Sequence, residues 1–234
     1  MSDFNIDEIK KFYEDANNVW SNSPWYKYSY SYISAYLKKL LIPLHKNNYI
    51  LNAGSAGNTY DIDCRMHHID IAENKICHCD EYTVASIEKI PFADNTFDGA
   101  ICVGSVINYT DAILSISELI RVVKSNGLII IEFENSNGFE YLFSKNFKKD
   151  TAVIKTPYLG KEHRQWIYSY QYILSIINSF NIEIINVSGF HIFDGLFAKN
   201  DNIAIKFSKL DKLANYIPTL KKYSGNIIVA LKKL

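Results

Sequence analysis

The chain has 234 residues, 48% of them hydrophobic, and Lys plus Arg equals Asp plus Glu at 25 each, so it carries no formal net charge. That length and apolar content suit one domain with a large buried core, and the neutral balance removes the basic footprint on which backbone-driven nucleic-acid binding rests. The chain opens MSDFNIDEIKK without an apolar targeting segment and holds no apolar run long enough to span a bilayer, so the expectation is a cytosolic protein with neither membrane nor nucleic acid as partner.

Four cysteines are too few for a disulfide framework in a protein with this much core, and a reducing compartment fits them better. Cys64, His67, His68, Cys77, His78 and Cys79 bring soft ligands close together in sequence, but their spacing matches no zinc finger or ribbon. Adjacent His67 and His68 point to opposite faces of a strand, so no metal site is expected.

In chain order, Ile6, Ile9, Tyr13, Ala16 and Trp20 recur at helical spacing and predict an amphipathic helix over 6–20. The SNSP segment at 21–24 opens a second helix from about Trp25 to Leu41, stopped at Pro43. The pattern then changes to short apolar runs at 49–53, 66–71, 82–87, 99–104 and 127–133. Runs this apolar predict strands covered on both faces, hence a parallel sheet flanked by helices. A capped helix is expected over 111–124 with its glycine stop at 125–127. A polar, aromatic stretch runs to about 168, followed by a helix over 169–180 and strands over 182–190 and 227–232. The first 36 residues crowd Trp20, Trp25, Tyr26, Tyr28, Tyr30, Tyr32 and Tyr36 together, rings that suit a wet cleft wall as well as a core.

Two strand ends carry the first chemistry. The first apolar run ends in the small-residue turn LNAGSAGN, Leu51 to Asn58, which lets backbone approach a ligand beyond the carboxyl ends of the strands. The second ends at Asp70, where a carboxylate can accept both hydroxyl hydrogens of a ribose. The segment ASIEKIPFADNTFD (85–98), followed by GAICVGSVINYTDA and SELIRVVKSNGLIIIEF, resembles the central stretch of class I S-adenosylmethionine-dependent methyltransferases of the type 11 kind. The resembling features are Ile90-Pro91-Phe92, Phe97-Asp98 and the turn Lys124 to Gly127.

The resemblance implies an α/β fold: a seven-stranded, mostly parallel Rossmann-like sheet with its last strand antiparallel. An N-terminal helical cap would span 1–44 and the methyltransferase domain 45–234, with lid or substrate insertions at about 135–168 and 191–223. It also implies S-adenosyl-L-methionine as cofactor. Gly54, Ser55 and Ala56 would wrap its methionine part, Asp70 would hold the ribose, Ser86 and Ile87 would flank the adenine, and Ile71 is a further cofactor contact. Gly104, Ser105 and Val106 would line the methyl-transfer face. Asn52, Ala56, Asn58 and Ser86 depart from the family pattern, and 57–66 is too short for the usual first helix.

The donor methyl is already activated, so alignment and exclusion of water carry most of the task, with a base needed only where the acceptor loses a proton. His163 is the candidate base and Tyr109 its catalytic companion. Trp25, Tyr28, Asn108, Tyr109 and Arg164 are the candidate acceptor contacts. The acceptor read from the neutral charge and aromatic cap is the oxygen or nitrogen of a small molecule. Two alternatives stay open: an inactive methyltransferase-like subunit that serves as a binding partner, and a methyltransferase acting on protein, peptide or RNA.

Overall fold

The computed structural model describes residues 6–20, 22–41, 47–197 and 200–234, excluding the side chains of residues 201, 212, 213 and 218. Seven strands form one sheet in the order β3-β2-β1-β4-β5-β9-β8. These are β1 (Tyr49–Ala53), β2 (Arg65–Asp70), β3 (Tyr82–Val84), β4 (Phe97–Cys102), β5 (Val123–Glu134), β8 (Ile182–Phe190) and β9 (Asn226–Lys233). Pairings from β3 through β5 are parallel, whereas β9 runs antiparallel to both its neighbours. Two further strands, β6 (Thr151–Tyr158) and β7 (Lys161–Tyr168), pair as a separate antiparallel hairpin.

Successive side chains of a strand face opposite ways, and the sheet is apolar on both faces because each is covered. Ile129, Ile131 and Phe133 of β5 and Ile227, Val229 and Leu231 of β9 join one core cluster, together with Ile116, Leu119 and Ile120 of α4 (Ala112–Val122) and Ile173, Ile176 and Ile177 of α5 (Tyr170–Ile177). The alternate residues Ile130, Ile228 and Ala230 join the other cluster with Ile33, Leu37 and Leu41 of α2 (Pro24–Leu41). Each such buried aliphatic chain contributes about 1.5 to 3 kcal/mol of transfer free energy.

The first helix, α1 (Ile6–Asp15), ends earlier than its apolar spacing predicts, and Trp20 lies beyond it. It buries none of its residues fully and lies over α3 (Glu73–Ile76), where the Asn74 side-chain amide donates to the Glu14 carbonyl at 2.9 Å. Pro43, the expected stop of the second helix, lies outside the described residues. Residues 57–64 form turns, with Tyr60 and Asp61 at positive φ, and α2 with buried Tyr60 fills that face of the sheet.

Two expectations are corrected. The helix expected over 111–124 gives way to β5 at Val123, because Val123 pairs with Phe97; 125–127 is then an irregularity within the strand, with Asn126 at φ 65°, rather than a helix stop. The 135–168 stretch is not irregular throughout: Leu159 and Gly160, both at positive φ, form the two-residue loop of the β6–β7 hairpin.

Candidate active site

Strand order reverses between β1 and β4, the switch point at which open α/β sheets leave a crevice beyond the strands' carboxyl ends. A cavity of about 230 Å³ opens there, and every position the sequence assigned to the cofactor lines it: Gly54, Ser55 and Ala56 after β1, Asp70 and Ile71 at the end of β2, Ser86 and Ile87 after β3, and Gly104, Ser105 and Val106 after β4.

The local geometry of this wall follows from its residue types. Gly54 sits at φ 68°, and a Cβ there would meet Val106 Cγ1 at 2.3 Å, so glycine is required both by conformation and by space. Asp70 Oδ2 accepts from the Ala56 N–H and Oδ1 from the Ala72 N–H, each at 2.9 Å, which ties the turn after β1 to the end of β2. The Ile71 N–H also bonds this carboxylate, which leaves one of its roughly four acceptor sites open. Burial pushes the Asp70 carboxyl up, against the pull of its backbone hydrogen bonds. At Gly104, with φ 86°, a Cβ would have the Trp20 ring and the Tyr60 hydroxyl as its nearest neighbours, at 3.6 to 3.9 Å. Its N–H and that of Ser105, itself at φ 59°, both donate to Glu132 Oε2 at 2.8 and 2.6 Å. The Ser86 loop is held by Arg121 of α4, whose guanidinium donates to the Ile90 and Phe92 carbonyls, Asp94 and Glu118.

The opposite wall comes from the cap and the hairpin. Ile9 and Tyr13 of α1, Trp25 and Tyr26 of α2, and Thr156, Tyr158, His163 and Gln165 of the hairpin all line the cavity. Thr156 and His163 are cross-strand partners, and alternation puts Gln165 on the same face as His163. His163 Nε2 lies 2.7 Å from the Tyr109 hydroxyl, and Tyr109 is hydrogen-bonded in turn to Tyr13. His163 Nδ1 is buried with no hydrogen-bond partner among the described residues. Burial lowers the His163 pKa, against an opposing pull from the neighbouring Gln165 side chain.

Three expected acceptor contacts do not reach the cavity. Arg164 alternates with His163 and Gln165, so it lies on the exposed outer face of the hairpin. Asn108 is fully buried, donating to the Glu134 and Trp166 carbonyls and accepting from the Glu134 N–H, so it bolts β5 to the hairpin. The Tyr28 hydroxyl donates to Asp211 and the Ser208 carbonyl, anchoring α2 on the 200–214 segment. Trp25 does line the cavity, braced by stacking on His191 at 3.6 Å between ring centroids; His191 is itself held by Ser29 and Asp194, each at 2.7 Å.

Glu132 and Glu134 of β5, Glu140, Tyr141 and Gln165 are lining residues that the sequence reading did not single out. Their signal was present in IIIEFEN, where two acids interrupt an otherwise apolar central strand. Glu134 accepts from the Gln165 amide at 2.5 Å and from the Tyr141 hydroxyl at 3.4 Å. Burial pushes the Glu134 and Glu140 carboxyls well above the usual range, and their proximity to other acids adds to the shift. His67 and His68 do face opposite ways: His67 bonds to Tyr49 and Thr83, and His68 to Ser55. Among the described residues, no three His, Cys, Asp or Glu side chains are grouped so as to hold a metal ion.

Comparison with known proteins agrees with this layout. Residues 46–131 match the family model described as a methyltransferase domain. The ubiquinone/menaquinone biosynthesis C-methyltransferase of Francisella philomiragia is 28% identical over 130 residues, 53% of this chain and 51% of that protein. The chain thus spans about half the length of that curated relative. The geranyl diphosphate C-methyltransferase of Streptomyces coelicolor superposes with a TM-score of 0.63 at 11% identity, covering 97% of each chain. The didemethyltoxoflavin N1-methyltransferase of Burkholderia thailandensis superposes at 0.58 and 11% identity, covering 97% of this chain and 86% of that one. The solved structures share the Rossmann-like fold seen here, and the matched segment supplies the family signal. The matched central segment is a methyltransferase domain.

Proposed function

We propose that the protein transfers the methyl group of S-adenosylmethionine to oxygen or nitrogen of a small-molecule acceptor in the cytosol. The observation that carries this reading is that one cavity unites the cofactor wall with an aromatic wall from the cap and the hairpin. The residues present fit the cofactor: the turn after β1 and Gly104 bring backbone to the cavity wall, Asp70 keeps an acceptor site beyond its backbone hydrogen bonds for a ribose hydroxyl, and Ser86 and Ile87 line the wall assigned to the adenine. The departures at Asn52 and Asn58 are absorbed internally, since the Asn52 amide donates to the Asn58 carbonyl at 2.6 Å. When bound, the sulfonium supplies a methyl group already activated for displacement. What this chain adds is alignment, exclusion of water and removal of a proton.

His163 is placed for the last of these. With Tyr109 donating onward to Tyr13, Nε2 of His163 donates to Tyr109, and the bare Nδ1 is the acceptor for a substrate proton. A chamber roofed by Tyr13, Tyr26 and Trp25 suits a small planar or apolar molecule better than a polymer.

The reading is tested by incubating the protein with methyl-labelled S-adenosylmethionine and fractions of small molecules, protein and RNA. Label is expected in the small-molecule fraction. The turnover found there should fall by about 100-fold in His163→Ala, the usual worth of a positioned base. Label confined to protein or RNA would contradict the small-molecule reading, and an unchanged rate in the variant would remove His163 as the base.

A further inference from the structure

The acceptor end of the cavity has a charge pattern that the proposed reaction does not by itself require. Glu134 and Glu140 both line it, yet among the described lining residues the one lysine or arginine is Lys75. Lys75 belongs to the cofactor side and donates to the Ala16 carbonyl. Glu134 has only the neutral donors Gln165 and Tyr141, and Glu140 has no hydrogen bond or ion pair from its carboxyl among the described residues. Around them stand the rings of Tyr13, Tyr26, Tyr141 and Tyr158. Tyr26 and Tyr158 lie 4.9 Å apart between centroids.

A carboxylate removed from water without a cation is costly, and two close together are costlier, so such a pair favours the neutral form until a positive ligand arrives. Ring faces attract the same ligand, and more strongly where water is excluded. The unpartnered Nδ1 of His163 lies in the same chamber, on the strand face it shares with Gln165. Glu132, by contrast, is turned to the Gly104 and Ser105 amides and belongs to the methyl-transfer wall.

Building on the methyltransferase reading above, we propose that the acceptor is an amine, held as its ammonium by Glu134 and Glu140 within the tyrosine rings, and methylated on nitrogen. The ammonium gives one proton to His163 Nδ1. The nitrogen lone pair then forms the new bond to the methyl carbon while the carbon–sulfur bond breaks, its electron pair staying on sulfur. The product leaves as a methylated ammonium with a neutral thioether beside it, and His163 releases its proton to solvent. Charge balances: two cations enter, and one cation and one proton leave.

The test uses protein saturated with S-adenosylhomocysteine, so that no sulfonium competes, titrated calorimetrically with 2-phenylethylamine and separately with 2-phenylethanol. The amine is expected to bind at least about tenfold tighter than the alcohol, the scale of one desolvated ion contact. Glu140→Gln and Glu134→Gln should each erase most of that preference while S-adenosylhomocysteine affinity stays within about twofold, since neither side chain belongs to the cofactor wall. Equal or tighter binding of the alcohol, an unchanged preference in both variants, or no binding of the amine at millimolar concentration overturns the amine assignment. Failure of S-adenosylhomocysteine itself to bind overturns the methyltransferase reading instead, so the two are told apart by the first titration.

Discussion

Asp70 fastens the turn after β1 to the end of β2 through one carboxylate, and under the proposed function the same carboxylate holds the ribose. Asp70→Ala is therefore expected to weaken S-adenosylhomocysteine binding by about 10- to 100-fold, the worth of a charge-assisted hydrogen-bond pair, and titration calorimetry reads it directly. Unchanged affinity would show that the ribose lies elsewhere. The place of Asp70 in the cavity wall was legible because it stands at a strand end after an apolar run. Gly54 was legible because a turn that backbone must approach selects small residues. Glu134 and Glu140 were not, since sequence alone does not show whether an acid at a strand end faces solvent or the cavity. Asn108 and Tyr28 illustrate the converse. Each sits near the acceptor side, but the nearest partners of Asn108 are backbone groups and those of Tyr28 are Asp211 and the Ser208 carbonyl, facts fixed by packing.

Elements rather than residues set the cavity's walls. The loop bearing Ser86 and Ile87 has little regular structure of its own and is held against α4 by Arg121, whose planar fork reaches two carbonyls and two carboxylates. Arg121→Ala should cost about 2 to 3 kcal/mol in chemical denaturation and, under the proposed function, raise the cofactor's dissociation constant, because the loop bearing Ser86 and Ile87 loosens with its anchor. A loss of stability with cofactor affinity intact would mean that the loop keeps its shape without the anchor. The parallel strands were readable from their apolar runs and α2 from the SNSP segment that opens it. The β6–β7 hairpin was missed because its loop, Leu159-Gly160, lacks the Asn-Gly or Asp-Gly pair that marks such turns, and because its inward face is polar. That omission explains the error at Arg164: without a strand, the alternation that turns it away from His163 is invisible.

At the scale of the whole molecule, a zero net charge hides an uneven distribution. Burial holds Glu134 and Glu140 above the usual carboxylate range, and Asp211, behind the cap, is pushed up to about 7 by burial and by Asp194. A carboxyl whose folded pKa exceeds its unfolded value binds more protons folded than unfolded between the two. Its stabilising contribution is complete below the unfolded value and is lost as pH rises through the folded one. Buried His68, lowered to about 4, and His163 act in the opposite sense, but only at and below the ordinary histidine range. From pH 6.5 to 8.5 the carboxyls govern, so the melting temperature should fall over that interval, and Glu140→Gln should flatten the fall. A melting temperature that is level or rises across the same interval in the unsubstituted protein would contradict the placement of these acids.

The proposed function requires the cavity at the switch point of the sheet to bind the methyl donor despite Asn52, Ala56, Asn58 and Ser86. Calorimetric titration of the purified protein with S-adenosylmethionine and with S-adenosylhomocysteine tests it most directly. Saturable one-to-one binding of both, with dissociation constants on the order of micromolar, about −8 kcal/mol, is the predicted result. Absence of binding by either ligand would contradict the account and leave the fold serving as a binding partner rather than an enzyme.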